Sequence, residues 1–372
     1  MQACIALGWL RTIFVPLVAA CVAILSFFVC PSSHWWQSID WQTLNLLFCL
    51  MFVVAGLRAC NLFRVLAQIL LVGKQSFRAL AHTLVQLSFW VSMIVTNDVA
   101  LIVLVPFAIY VLDRQALRHR LPSVIVLQTV AANLGSMATP IGNPQNLFLY
   151  TAYDIAPGAF FCVMLPMVLV GWVLLTIMTQ VLQNEPTYVR FIHIQSLANP
   201  YKVLLYGLLF TLCVLTVFRL FSNTWLFFIV TGCALLFCRN ALRAVDYGLL
   251  FTFVCFFIFS NNLGQISSCS NILERFLQKN TQATAVLTSQ VISNVPAAIL
   301  LTPFTLNWRG LLLGVNIGGF GTLIASLASL ISFRLYATEK NARPWRYLLL
   351  FTLINVIFSI VLTGFSLFGD LG

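Results

Sequence analysis

The sequence predicts an all-α integral membrane protein: an inverted repeat with two re-entrant hairpins, two discontinuous helices and about nine full spans, at roughly 20 residues per crossing. Three observations carry that reading. Of 372 residues, 61% are hydrophobic and only 8% charged, against about 25% charged in soluble domains. Uncharged apolar runs long enough to cross a hydrocarbon core of roughly 30 Å recur along the whole chain. Finally, the stretch 95–107 aligns without a gap with 292–304, so that Asn97, Ala100, Ile102, Leu104, Pro106 and Phe107 recur as Asn294, Ala297, Ile299, Leu301, Pro303 and Phe304. Downstream of each copy, Asn133, Gly135, Thr139 and Ile141 return at the same spacing as Asn316, Gly318, Thr322 and Ile324. Matched polar or helix-breaking segments in two halves of a membrane protein point to a substrate site near the bilayer midplane.

In chain order, spans are expected near 12–30, 41–57, 123–150, 159–182, 203–221, 224–238, 246–262, 311–335 and 347–368. The first, Thr12 to Cys30, has no small-residue cleavage site after it and reads as a retained span. The stretch 79–112 is too long for one crossing and carries Thr96, Asn97 and Asp98 at its centre, so it reads as two arms and a tip. Basic residues flank it on both sides, which places both ends in the cytoplasm. The stretch 281–304 has its own tip at Ser293, Asn294 and Val295, with Pro296 suited to the first turn of a returning arm. Two full crossings would need about 40 residues, so a hairpin that turns back inside the membrane fits better.

With the N-terminus cytoplasmic, all twenty Lys and Arg except Arg219, Arg275, Lys279 and Arg309 fall on the inner side. The net charge of +11 therefore reports topology, and no nucleic-acid partner is expected. The two halves then run in opposite senses, as residues 1–202 and 224–372, with 203–223 as the linking span. Trp35, Trp36, Trp41, Trp225, Trp308 and Trp345 fall near span ends, where indole rings favour the headgroup region. The eleven cysteines lack metal-type spacing, and most, such as Cys21, Cys49, Cys213 and Cys255, sit in apolar runs as small hydrophobes. No Gly-x-x-x-x-Gly-Lys-Ser/Thr loop occurs, so energy would come from an ion gradient or a partner.

Broken helices at membrane depth survive only where protein buries them or an aqueous cavity lines them. Four breaks are expected: the two tips, the segment Asn133 to Asn146 with Pro140, Gly142 and Pro144, and the segment Asn316 to Thr322 with Gly318, Gly319 and Gly321. Each starts a helix whose free amides can hold an anion, while carbonyls at the preceding helix end can hold a cation. The plainer alternative is that the glycines allow close packing and the prolines kink spans. Candidate substrate or ion ligands are Thr96, Asn97, Asp98, Asn133, Gly135, Thr139, Asn143, Ser293, Asn294, Asn316, Gly318 and Thr322. No resident metal or cofactor is expected beyond a coupling proton or sodium ion, the latter near Asn97 and Asp98.

Asp98 is the sharpest single residue, because the other eight acidic residues fall at span ends or in loops. A midplane carboxylate costs about 2.5–3.5 kcal/mol on insertion scales and usually faces a cavity, an ion or a proton path. Its structural alternative is to cap the second arm. His82, in the first arm, could relay protons or simply pack; His34, His119 and His193 read as loop residues. No Lys or Arg is expected at the midplane, so a bound anion would be met by helix N-termini and a co-bound cation.

At these residues the chain resembles the ion transporter superfamily of arsenite permeases, NhaD-type sodium/proton antiporters and divalent anion/sodium symporters. It is most similar to the anion-permease branch of the arsenite-permease group, with a citrate-transporter-like domain. The resemblance runs from about 41 to 368 and rests on Thr96-Asn-Asp-Val, Thr139-Pro-Ile-Gly-Asn-Pro-Gln-Asn146, Ile292-Ser-Asn-Val-Pro296 and Gly314-Val-Asn-Ile-Gly-Gly318. It implies one central site formed by two opposed hairpins and two unwound helices, and an elevator-like movement of the hairpin-bearing domain. Dicarboxylate symporters carry a hydroxyl third in each tip motif, where this chain has Asp98 and Val295. An Asn-Asp tip is more like the arsenite and antiporter branches.

Together these readings imply an ion-coupled secondary transporter of a small anion or oxyanion in a bacterial inner (plasma) membrane, with the lipid bilayer as its surroundings and a homodimer as a possible assembly. Sodium/proton antiport and arsenite-type efflux stand as alternatives. A membrane enzyme would need a nucleophile or a metal pair, and a lone Asp98 supplies neither.

Overall fold

The computed structural model describes residues 16, 17, 19–26, 35–73, 76–189 and 195–369. Most of the expected first span, together with Arg11, His34, Lys74, Arg190, His193 and Asp370, lies outside the described residues. Among those described there is no strand, only an isolated bridge between Ser76 and Pro186.

The helices are α1 (Trp41–Ala59), α2 (Leu62–Leu71), α3 (Phe77–Ile94), α4 (Asn97–Arg114), α5 (Leu121–Ser136), α6 (Pro144–Ala152), α7 (Pro157–Gln180), α8 (Pro200–Val217), α9 (Asn223–Phe237), α10 (Arg239–Leu242), α11 (Tyr247–Gly264), α12 (Ser267–Lys279), α13 (Thr281–Ile292), α14 (Asn294–Leu301), α15 (Trp308–Ile317), α16 (Leu327–Ala337) and α17 (Pro344–Gly369). Their starts follow from sequence. Side chains of Asp40, Ser76, Asn143, Asn199, Asp246, Asn280 and Asn307 accept an amide hydrogen bond from the first turn of α1, α3, α6, α8, α11, α13 and α15. Prolines sit in the first turns of α5, α6, α7 and α8, where no amide proton is needed.

Among the described residues, five helices are long and apolar enough to cross a membrane: Trp41–Ala59, Pro157–Gln180, Pro200–Val217, Tyr247–Gly264 and Pro344–Leu367. They fall on the expected spans 41–57, 159–182, 203–221, 246–262 and 347–368. The expected spans 123–150 and 311–335 are each divided, into α5 and α6 and into α15 and α16, because Pro140, Gly142 and Pro144 in one and Gly318, Gly319 and Gly321 in the other interrupt the helical ladder. The expected span 224–238 is a 15-residue helix. The two arms of the first helix pair, α3 and α4, have 18 residues each, or about 27 Å. Those of the second pair, α13 and α14, have 12 and 8, or about 18 and 12 Å.

Burial sorts the helices into an inside and an outside. In α5 every residue but Ser123 is buried, whereas α7, α8 and α17 leave long apolar side chains such as Leu169, Leu204 and Leu353 exposed. A helix apolar on all sides but open on one belongs against lipid. The inner packing follows one rule twice: α3 packs on α5, and α13 packs on α15. At matched glycines these pairs approach too closely for a side chain to fit. A Cβ on Gly135 would lie 2.1 Å from the Phe89 carbonyl oxygen and 2.4 Å from Ser92 Oγ, and one on Gly318 would lie 2.6 Å from Ser289 Cβ. The second arms cross over: α4 packs on α16 and α14 packs on α6, so each returning arm lies against the half-helix beyond the other break.

Candidate functional site

Both helix pairs turn over one or two residues. Val95 and Thr96 are extended between α3 and α4, while Ser293 alone joins α13 to α14 at φ 77° and ψ 155°. That region is nearly confined to glycine and costs on the order of 1–3 kcal/mol for any other residue. Each tip is pinned to the neighbouring break by one backbone bond: the Asn97 N–H donates to the Gly142 carbonyl (3.3 Å) and the Asn294 N–H to the Ala325 carbonyl (3.0 Å). Each tip asparagine also folds its Oδ1 onto the next amide, of Asp98 at 3.0 Å and of Val295 at 2.9 Å.

The breaks are anchored the same way. Thr139 Oγ1 donates to the Met93 carbonyl at 2.7 Å, and Thr322 Oγ1 to the Gln290 carbonyl at 3.1 Å. Asparagines then join the two halves crosswise. Asn133 Oδ1 accepts from Asn97 Nδ2 (2.9 Å) and from Ser326 Oγ (3.1 Å), on the far half. Asn316 Oδ1 accepts from Asn143 Nδ2 (3.2 Å), and Asn316 Nδ2 donates to Asn146 Oδ1 (2.6 Å), both on the near half. Asn97, Asn133, Asn143, Asn146, Asn294 and Asn316 are all buried. Amides serve here because each carries both donor and acceptor and can satisfy two neighbours without a buried charge.

Of the sequence-predicted residues, Asn97, Asn133, Asn143 and Asn316 meet in this network; Asn294 bonds the neighbouring break through its backbone, Thr139 and Thr322 tie each break to the incoming arm, Ser293 makes the second turn, and Gly135 and Gly318 are points of close helix approach. Thr96 and Asp98 stand beside it. They line a cavity of about 690 Å³ together with Asn143, Asp246, Arg58 and Arg334. The residues of the second tip are not among its lining. Asp98 is in the first turn of α4, where a negative charge meets the positive end of the helix.

Sequence reasoning missed four residues. Ser326 stands where the internal alignment puts the counterpart of Asn143, a signal that extending the repeat would have supplied. Gln290 donates Nε2 to the Gly318 (2.8 Å) and Phe320 (3.1 Å) carbonyls, and its Oε1 accepts from the Thr322 amide (2.8 Å), bracing the second break. Arg58 and Arg334 were assigned to topology alone, and no basic residue was expected at the site; both guanidinium-bearing side chains line the cavity because the last turns of α1 and α16 converge there. His82 faces α7, with Nδ1 2.8 Å from Thr179 Oγ1, and lies three helical turns below the first tip.

The sequence pattern of the citrate transporter family matches residues 3–308. The chain belongs to that family. It is 32% identical over 337 residues to the uncharacterized transporter MJ0456 of Methanocaldococcus jannaschii, covering 88% of this chain and 90% of that protein. It is likewise 32% identical over 328 residues to the inner membrane protein YbiR of Escherichia coli, covering 86% of each. A shorter match, 34% over 150 residues, joins 40% of the chain to 30% of the silicon efflux transporter LSI3 of rice, Oryza sativa subsp. japonica. The family and its named members are transporters, not enzymes, and this chain is a membrane transporter.

Proposed function

We propose that this family member is a secondary active transporter of a small anion or oxyanion, coupled to protons or sodium, that works by elevator-like alternating access. In this reading α3–α4 and α13–α14 are re-entrant hairpins of two inverted repeats, 1–202 and 224–372, joined through 203–223. The protein sits in a bacterial inner membrane with its N-terminus in the cytoplasm. The observation that carries the reading is the crosswise asparagine network. The first tip's Asn97 and the two broken helices, from separate halves of the chain, spend buried polar side chains on one another, and a solute-sized cavity opens beside that tip. Arms of about 18 and 12 Å are too short to cross a core of roughly 30 Å, which favours a hairpin that turns back.

Cargo and coupling ion would meet at Thr96, Asn97, Asp98, Asn133, Asn143 and their counterparts Ser293, Asn294, Asn316 and Thr322, with Asp98 carrying the proton or facing the sodium ion. The test is flux in proteoliposomes with Asp98→Asn. Solute uptake that falls by at least about tenfold, with an unchanged melting temperature, supports coupling through Asp98. Unchanged flux reduces that carboxylate to a helix-end charge. The acidic tip favours a second reading, sodium/proton antiport, which flux that follows pH and sodium with no anion present would identify. Efflux of a neutral metalloid hydroxide is the third outcome of the same assay; the rice relative is named as a silicon efflux transporter.

A further inference from the structure

We propose that Arg58 and Arg334 form a two-sided anion-recognition element in the cavity beside the first tip, and that the cargo enters this cavity as a charged oxyanion or carboxylate rather than as a neutral hydroxide. The inference rests on the transport reading and deepens it.

The two arginines come from different halves, at the last turns of α1 and α16. Both are half-buried, and among the described residues neither guanidinium has a hydrogen bond or an ion pair. That sets them apart from Arg118, Arg120 and Arg219, whose side chains meet Asp113, Glu185 and Asp154. A basic residue in a last helical turn suits the helix dipole and the inner-face charge bias, and for one arginine that would be reason enough. It does not account for two such ends converging on one cavity with apolar walls. A guanidinium removed from water without a partner is costly, and its planar fork matches carboxylate and oxyanion edges in pairs.

Two carboxylates share the cavity, and both are tied to helix starts. Asp246 Oδ1 accepts the Leu249 amide at 2.9 Å at the head of α11, and Asp98 stands in the first turn of α4. Neither forms an ion pair with Arg58 or Arg334. Arg58 also lines a second cavity of about 320 Å³ with Arg64 and no acidic residue, which adds positive charge beside the larger one. A lining of this kind concentrates anions at the approach and strips little from a neutral solute.

The experiment uses the full chain, purified in detergent, and follows its melting temperature against citrate, malate, sulfate and arsenate, with boric acid as the neutral hydroxide. At least one anion is expected to raise the wild-type melting temperature. In Arg58→Gln and Arg334→Gln the concentration needed for half the shift should rise at least about tenfold each, while Arg58→Lys and Arg334→Lys, which keep the charge but lose the planar fork, recover part of it. Boric acid should act alike on all five proteins. Anion shifts that survive both glutamine substitutions, a response to boric acid alone, or no anion response in the wild type would each overturn the proposal. Lysine variants that retain the loss while melting normally would overturn charge as its basis. Flux of the responding anion in proteoliposomes separates the two claims: binding without flux sinks the transport reading and leaves the arginine pair standing, whereas flux indifferent to both arginines does the reverse.

Discussion

The two helix tips share a skeleton and differ in chemistry. At each, an asparagine amide is pinned to the adjacent break, its side-chain oxygen covers the following amide, and a threonine of the break ties back to the incoming arm. The first tip adds Asp98 and borders the cavity; the second adds Val295, is buried, and turns through a strained serine. Duplication preserved the backbone scheme because each half needs it to hold a break in a low-dielectric interior. The charge exists once.

The sharpest way to break the comparison is to give the second tip the first tip's charge. Val295→Asp should destabilise the protein by several kcal/mol, on the order of the cost of an unpaired buried carboxylate, or force that group to stay protonated, whereas Val295→Thr should cost about 1–3 kcal/mol. Thermal unfolding in detergent measures both, and a well-folded, ionised Asp at 295 would refute the idea that the second tip is built for neutrality.

Next in size is removal of the crosswise bonds. Asn133→Ala leaves the Asn97 amide and the Ser326 hydroxyl without their acceptor, and Asn316→Ala removes the acceptor of Asn143 Nδ2 and the donor to Asn146 Oδ1. Each should cost about 2–4 kcal/mol. The double variant should cost less than the sum, since Ser136 links the two sets: its hydroxyl donates to the Asn133 carbonyl and accepts from Asn143 Nδ2. Strict additivity would mean two independent halves.

Backbone strain offers a smaller contrast of opposite sign. Ser293→Gly should stabilise by about 1 kcal/mol, and Thr96→Gly, at φ −63°, should destabilise by roughly 0.5–1 kcal/mol. Equal effects at the two tips would remove the strain argument.

The smallest effect concerns what holds the base of the first pair. Residues 181–189 strap it: the Phe77 amide donates to the Glu185 carbonyl (2.8 Å), Thr187 Oγ1 to Gln115 Oε1 (2.7 Å), and Arg120 Nε to Glu185 Oε1 (2.7 Å). The Arg120 hydrogen bond, followed by that of His119, holds the Glu185 carboxyl below the usual carboxylate range. A depressed carboxyl pKa gives stabilisation that is complete above the unfolded value and lost as pH falls through the folded one. Amide protection at Phe77 should therefore stay level from neutral pH down to about pH 4 and decline only below it. In Glu185→Gln the decline should vanish; a decline that persists in that variant would refute the assignment to Glu185.

Much of this was visible in the residues alone. Apolar runs and basic flanks are local signals, so among the described residues five helices long and apolar enough to cross a membrane fall where the runs stand, and the paired tips fall at Asn97 and Asn294 because the copied strings align there. Other features were not visible. Gly135 and Gly318 looked like ligand positions, yet their neighbours are the arms at Phe89, Ser92 and Ser289, which no spacing rule names. His82 looked poised in the first arm and instead pairs with Thr179 of α7.

That the chain is a membrane-embedded helical protein with a matched pair of breaks follows from its residues alone, because hydrophobic length and repeat spacing are written residue by residue. That Asn133 answers Ser326, that Asn143 answers Asn316, and that Arg58 and Arg334 share one cavity with Asp98 emerges only from the folded molecule. Those partners stand far apart along the chain, and whether they meet depends on which helix faces cross, a property of packing that no local pattern encodes.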